Sequence, residues 1–156
     1  MLTPDAQVPD AQPPAGRPPL DVVAWVCLRD GLLLHVRTRG NSAFYVPGGK
    51  REPGESDAEA LLREVREELG VLLDPSSLRL AATIEAPAHG VHEGRQVRML
   101  CFFADPLPGS PPAAPASEIA ELRWLALSDG PITAPADIRL MELLVAQGLL
   151  DASRAV

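Results

Sequence analysis

Apolar residues along this chain fall in short runs broken by turn residues, with two longer stretches at helical spacing. Leu20 to Leu28, rich in Val and carrying Trp25, reads as a strand. Arg29-Asp30-Gly31 is a turn signal, and Leu32 to Arg37 returns as the second strand of a hairpin. Phe44-Tyr45-Val46 predicts a short strand stopped by Pro47-Gly48-Gly49. Leu78 to Glu85 and Gln96 to Ala104 predict two more, joined by a polar loop with His89, Gly90, His92 and Gly94, and Glu121 to Leu127 predicts another. Helical spacing marks Asp57 to Leu69 and Ala136 to Gln147, with Gly148 placed to end the second. Strands with two helices at separate positions give an α/β (α+β) class, a mixed sheet covered on its faces.

The first helix has explicit ends. Ser56 followed by Glu59 is a capping box, and Gly70 directly after Leu69 suits the left-handed closing position. Ala58, Leu61, Leu62, Val65 and Leu69 share the face assigned to the core. Glu64, Glu67 and Glu68 fall on the neighbouring arc at i,i+3 and i,i+4 spacings, so their carboxylates project into one volume. Glu59 is placed to pair with Arg63 across one turn, which leaves the three glutamates short of local cation. Like charges at these spacings cost about 0.2–0.5 kcal/mol each. Such a face is either solvated or a divalent-cation site, because carboxylate oxygens are hard ligands suited to Mg²⁺ or Mn²⁺.

Composition narrows the partners. The 156 residues carry 14 Lys+Arg against 21 Asp+Glu, a formal charge of −7, which argues against a nucleic-acid polymer. Six aromatics are too few for a base-stacking platform. The longest apolar run is far short of a membrane span, and no secretory h-region opens the chain. Cys27 and Cys101 sit in apolar runs and do not form a disulfide framework. A cytoplasmic, single-domain protein is the expectation. Of the 17 prolines, six lie in residues 1–19 and five between Pro106 and Pro115. The first stretch is expected to be a disordered tail and the second a surface loop, leaving residues 20–150 as the domain and 151–156 as a short C-terminal tail.

The segment ahead of the acidic helix favours the cation reading. Pro47-Gly48-Gly49-Lys50-Arg51-Glu52-Pro53-Gly54-Glu55 joins a strand to the helix through glycines whose exposed amides suit phosphate oxygens, with Lys50 and Arg51 adding positive charge. A phosphate loop beside a Mg²⁺ helix implies a metal-bound di- or polyphosphate. Gly49, five residues, Glu55, seven residues, then Arg63-Glu64-Val65-Arg66-Glu67-Glu68-Leu69-Gly70-Val71 resembles the complete Nudix box. The order of strands around it is also similar to the Nudix fold, an α/β/α sandwich with a mixed sheet flanked by helices.

The resemblance implies hydrolysis of a nucleoside diphosphate linked to another group, by water attack on a pyrophosphate phosphorus. It implies Glu64, Glu67 and Glu68 as metal ligands with the Gly48 carbonyl, Glu55 as support for the metal site, and Arg63 as the arginine that orients the carboxylates. Glu64, Glu67 and Arg63 are thereby candidate catalytic residues, joined by a loop acid outside the box. Glu118, six residues before Trp124, is the choice for that acid; Glu121 is the runner-up, and an ordinary solvated loop glutamate is the competing account. Arg37 and Arg39 are candidate phosphate contacts, with solvent-facing strand arginines as the alternative. His89 and His92 lack the companions of a metal site, and Gly49-Lys50 lacks the rest of a P-loop.

Subgroup markers leave the substrate open. Thr38 to Phe44 does not match the coenzyme A motif, no Tyr follows Tyr45, and Pro87 stands where ADP-ribose pyrophosphatases tend to have proline. The expected substrate is a small nucleotide, with (deoxy)nucleoside triphosphates ahead of ADP-ribose or nucleotide sugars. A non-catalytic nucleotide-binding module is the rival class, which would be expected to have lost box carboxylates. A homodimer is expected from the family habit alone.

Overall fold

The computed structural model describes residues 18–90 and 94–154. The expected proline-rich tail, apart from its last two residues, and His92 lie outside the described residues. Among the described residues seven strands and two α-helices follow in the order β1 (Leu20–Val26), β2 (Leu28–Arg29), β3 (Leu32–Thr38), β4 (Gly48–Lys50), α1 (Asp57–Leu69), β5 (Arg79–Pro87), β6 (Gln96–Phe103), β7 (Ile119–Leu125) and α2 (Pro135–Ala146). The strands form two sheets. A mixed sheet has the order β4-β1-β6-β5, with β1 and β6 parallel and the other pairs antiparallel. An antiparallel sheet has the order β2-β3-β7.

Val23 and Trp25 of β1 pack with Ala60, Leu61, Val65 and Leu69 of α1, while Ala24 and Val26 pack with Ala136, Leu140, Met141 and Leu144 of α2. The alternation of one strand therefore feeds two cores, one under each helix. Trp25 is 2% exposed, and its indole N–H donates to the Ala104 carbonyl at 2.9 Å, which satisfies its one polar atom.

Three expectations are corrected. The first strand is not continuous to Leu28: the chain leaves the mixed sheet at Cys27 and enters the other, where Arg29 pairs Leu32 across a turn with Asp30 at φ 52° and Gly31 at φ 75°. Positive φ at both turn positions matches the twist of a tight hairpin. Phe44 and Tyr45 make single bridges, to Thr133 and Val36, rather than a strand. The strand lies instead at Gly48–Lys50, because the edge of β1 offers its backbone groups there in the register Val22↔Lys50, Val23↔Gly49 and Ala24↔Gly48. On α1 it is Ala60 that is fully buried, not Ala58.

Residues 151–154, set apart by sequence as a tail, lie along the hairpin turn. The Asp151 amide donates to the Gly31 carbonyl at 2.8 Å, and Arg154 reaches Asp129 and the Trp124 carbonyl. Among the described residues no helix is long and apolar enough to cross a membrane.

Candidate active site

The site begins at the N-terminus of α1. The Ser56 hydroxyl oxygen accepts from the Glu59 amide at 3.1 Å, and Glu59 turns back to Ser56. With Glu59 so engaged, Arg63 does not pair with it as the spacing alone predicts. Its guanidinium takes both oxygens of Glu55 at 2.6 and 2.9 Å, Glu64 at 3.0 Å, Glu67 at 3.4 Å and the Lys50 carbonyl at 3.1 Å. One planar cation thus ties the loop to the acidic face of the helix, in the bidentate geometry that Arg alone offers. Arg63 holds the Glu55 carboxyl down at about 2, and the Arg63 cation is itself held well above the ordinary range by these carboxylates.

Glu68 lies deeper, at 6% exposure, with one oxygen accepting the Gly48 amide at 2.9 Å. Burial pushes its carboxyl up to about 8, against the Gly48 hydrogen bond and reinforced by Glu64, Glu118 and Glu67. Burial also raises Glu64. The two glycines admit these acids for different reasons. A Cβ on Gly48, at φ 151°, would stand 1.9 Å from the Val23 carbonyl oxygen, so close approach of β4 to β1 excludes any side chain. A Cβ on Gly49 would stand 2.5 Å from the Glu64 carboxylate. Arg51 pairs with Asp57 at 3.0 Å in the first turn of α1.

A fourth acid arrives from the proline-rich segment. The amides of Ala114 and Ala116 donate to the Leu69 and Glu68 carbonyls at 3.1 and 3.0 Å, satisfying two orphan carbonyls at the end of α1. Ser117, at φ 54°, then turns the chain, and Arg39 holds the bend through the Ser117 and Glu118 carbonyls at 2.8 Å each. This places Glu118 where its charge acts on both Glu64 and Glu68. Glu121 faces elsewhere: it pairs with Arg37 at 2.9 Å and Arg123 at 3.2 Å on the β3–β7 ladder. Arg37 is therefore separated from Arg39, in a shallow groove with Arg123, Ser42 and Phe44.

Beside the acids opens a cavity of about 560 Å³. Gly48, Gly49, Lys50 and Arg39 line it together with Val22, Tyr45, Val97, Met99, His89 and Asp137. The Tyr45 hydroxyl meets His89 Nδ1 at 2.8 Å, so the described histidine of the β5–β6 loop engages a phenol. Asp137 is 2% exposed. Sequence reasoning missed it, although an acid at the start of the apolar stripe Ala136, Leu140, Met141, Leu144 was a visible signal.

The donor set fits a hard divalent cation: clustered carboxylate oxygens, two of them raised by burial and mutual repulsion, beside the Gly48 backbone. Among the described residues no three acidic, His or Cys side chains close into a ready-made cage. Arg63 draws Glu64 and Glu67 aside, and Gly48 holds Glu68. Mg²⁺ does not require such a cage, since it keeps waters and uses one or two carboxylates with substrate phosphates.

Comparison with known proteins places these features. The family model for the NUDIX domain matches residues 17–144, and the chain belongs to the Nudix family. It is 33% identical over 122 residues to the uncharacterized Nudix hydrolase YvcI of Bacillus subtilis, covering 76% of this chain and 74% of that protein. It is 51% identical over 35 residues to the 8-oxo-dGDP phosphatase NUDT18 of Mus musculus, covering 22% of this chain and only 11% of the mouse protein. The solution structure of the Escherichia coli ORF135 protein superposes with a TM-score of 0.63 at 29% identity, covering 82% of this chain and 89% of that one.

Proposed function

We propose that this protein is a divalent-metal-dependent pyrophosphohydrolase acting on nucleoside di- and triphosphate derivatives, with (deoxy)nucleoside triphosphates ahead of ADP-ribose. The observation that carries the reading is the gathering of Glu64, Glu67, Glu68 and Glu118 against Gly48, Gly49 and Lys50 beside a cavity of nucleoside size. Glu64, Glu67 and Glu68, with the Gly48 carbonyl, would hold Mg²⁺ or Mn²⁺. Bound there, the metal supplies charge neutralisation on the pyrophosphate and lowers the pKa of water.

The remaining work belongs to the chain's own residues. Arg63 fixes the rotamers of Glu55 and Glu64, as a guanidinium beside metal-binding carboxylates does. Lys50, next to Gly49 in the chain, and Arg39 both line the cavity and would meet phosphate oxygens there. Glu67, half exposed, and Glu118 are the solvent-open acids of the site, and the attacking water gives its proton to one of these two carboxylates. A bond forms from that water oxygen to phosphorus, the bridging P–O bond breaks, and the nucleoside monophosphate parts from pyrophosphate when the substrate is a triphosphate, from phosphate when it is a diphosphate, or from the phosphorylated second group. The apolar wall of Val22, Val97 and Met99 receives the base. NUDT18, by its name, acts on 8-oxo-dGDP, which supports an oxidised purine nucleotide within this class.

The test is a parallel assay of dGTP, 8-oxo-dGTP, 8-oxo-dGDP, CTP, ADP-ribose and a nucleotide sugar, ranked by kcat/KM with and without Mg²⁺ or Mn²⁺. No metal-dependent turnover on any substrate overturns the reaction. ADP-ribose leading by more than about tenfold overturns the ordering. Glu67→Gln and Glu68→Gln are expected to lower turnover by about two orders of magnitude with the fold intact; near-normal rates at limiting Mg²⁺ would remove them from the ligand set.

A further inference from the structure

Beneath the cavity wall lies a buried pair that the reaction does not use. His35, on β3, is fully buried, and its Nδ1 lies 3.1 Å from the Leu33 carbonyl oxygen. A carbonyl only accepts, so Nδ1 carries the ring proton and Nε2 of the neutral ring is a bare acceptor. Among the described residues Nε2 has no hydrogen-bond partner. The polar atom facing it is Asp137 Oδ2 at 3.9 Å, which also accepts the Val46 amide at 3.2 Å. Two acceptors so placed repel each other unless one of them carries a proton.

Two arrangements supply that proton. One is a buried imidazolium–carboxylate pair, which must desolvate two ions among Leu33, Val46, Leu140 and Met141. The other is a neutral pair with the proton on the carboxyl. We infer that Asp137 carries one proton and directs it at His35 Nε2, so that the cavity wall presents a neutral carboxylic acid to the base, with His35 as the positioning residue. This rests on the reading that a nucleobase occupies the cavity. A side-chain shift of under about 1 Å brings the two atoms into hydrogen-bond range.

Burial favours the neutral form of both partners, holding His35 down at about 4 and Asp137 up at about 7. The other titratable groups acting on the pair are Asp129, from the turn ahead of α2, and the Cys101 thiol of β6. Asp129 is itself bonded to Arg154 at 3.2 Å. With Oδ2–H committed to His35, the second carboxyl oxygen accepts from an amino or ring N–H of the base. The ligand class is thus a base presenting such a donor, and that bond strengthens once the acid ionises, because a carboxylate is the stronger acceptor.

The test has two arms. In the metal-free protein, ¹⁵N NMR of the imidazole rings is expected to show His35 neutral and protonated at Nδ1 down to about pH 5, with its Nε2 resonance moving near pH 7 as Asp137 titrates. That movement should vanish in Asp137→Asn. An imidazolium at neutral pH, an Nε2–H tautomer, or an Nε2 shift indifferent to Asp137→Asn overturns the inference. In the second arm, KM for the preferred nucleotide should fall as pH rises through the midpoint, since the ionised carboxyl accepts the base N–H more strongly. Asp137→Asn, whose amide donates to Nε2 as the acid does, should flatten that fall. His35→Leu should move the midpoint down, and His35→Gln should restore it in part. An identical KM profile in all variants overturns the inference. The NMR arm needs neither metal nor substrate, so absence of turnover would count against the proposed function alone.

Discussion

The carboxylates carry opposite linkages, each of which follows from its neighbours. Glu68 without metal titrates at about 8 instead of 4.5, so the folded chain retains a proton that the unfolded chain releases. Stability of the metal-free protein therefore falls as pH rises through that window, by a few kcal/mol at order of magnitude. Glu55, held at about 2 by Arg63, has the opposite sign: its contribution is present above 4.5 and is lost as pH falls toward 2. Thermal melts in chelator should show the first slope, and Glu68→Gln should flatten it. Added Mg²⁺ should raise Tm more at about pH 8 than at about pH 5.5; equal shifts would uncouple Glu68 from the metal. The paired glycines give a second check. Gly49→Ala meets only a carboxylate tip, so Glu64→Ala should recover its stability while abolishing activity. Gly48→Ala meets backbone, and no change at Glu64 should rescue it.

Among the elements, α1 was legible because its period and both of its ends are written locally, in Ser56, Glu59 and Gly70. What the period could not show is that Glu59 would turn to Ser56 and leave Arg63 to Glu55. β4 was illegible for a different reason: Pro47-Gly48-Gly49 has the composition of a turn, and only the unpaired edge of β1 makes it a strand. The docking of residues 114–118 was hidden as well, since it is made by backbone amides finding the orphan carbonyls of α1, a contact without side-chain signature. That contact is what brings Glu118 to the box acids. Ala116→Pro, which removes the amide bonded to Glu68, should cost about 0.5–1.5 kcal/mol in denaturant unfolding. It should also depress turnover to the extent that Glu118→Gln does. A loss of stability with full activity would show that Glu118 is placed by other contacts.

At the scale of the molecule, β1 is the common wall of both cores, and its parallel neighbour is β6, in the register Leu20↔Val97 to Val26↔Phe103. Everything from Cys27 to Arg95 is the crossover between these two strands, and it holds β2 to β5 and α1 with all four box glutamates, Glu55, Glu64, Glu67 and Glu68. A nascent chain consequently displays the box helix and the apolar face of β1 well before β6 leaves the ribosome to cover them. A fragment of residues 1–90 should lack a cooperative thermal transition by circular dichroism and should associate; a sharp transition would show β6 to be dispensable. Vectorial synthesis thus makes the box helix before the platform that holds it, and the interval is the period in which the apolar face of β1 is open to association.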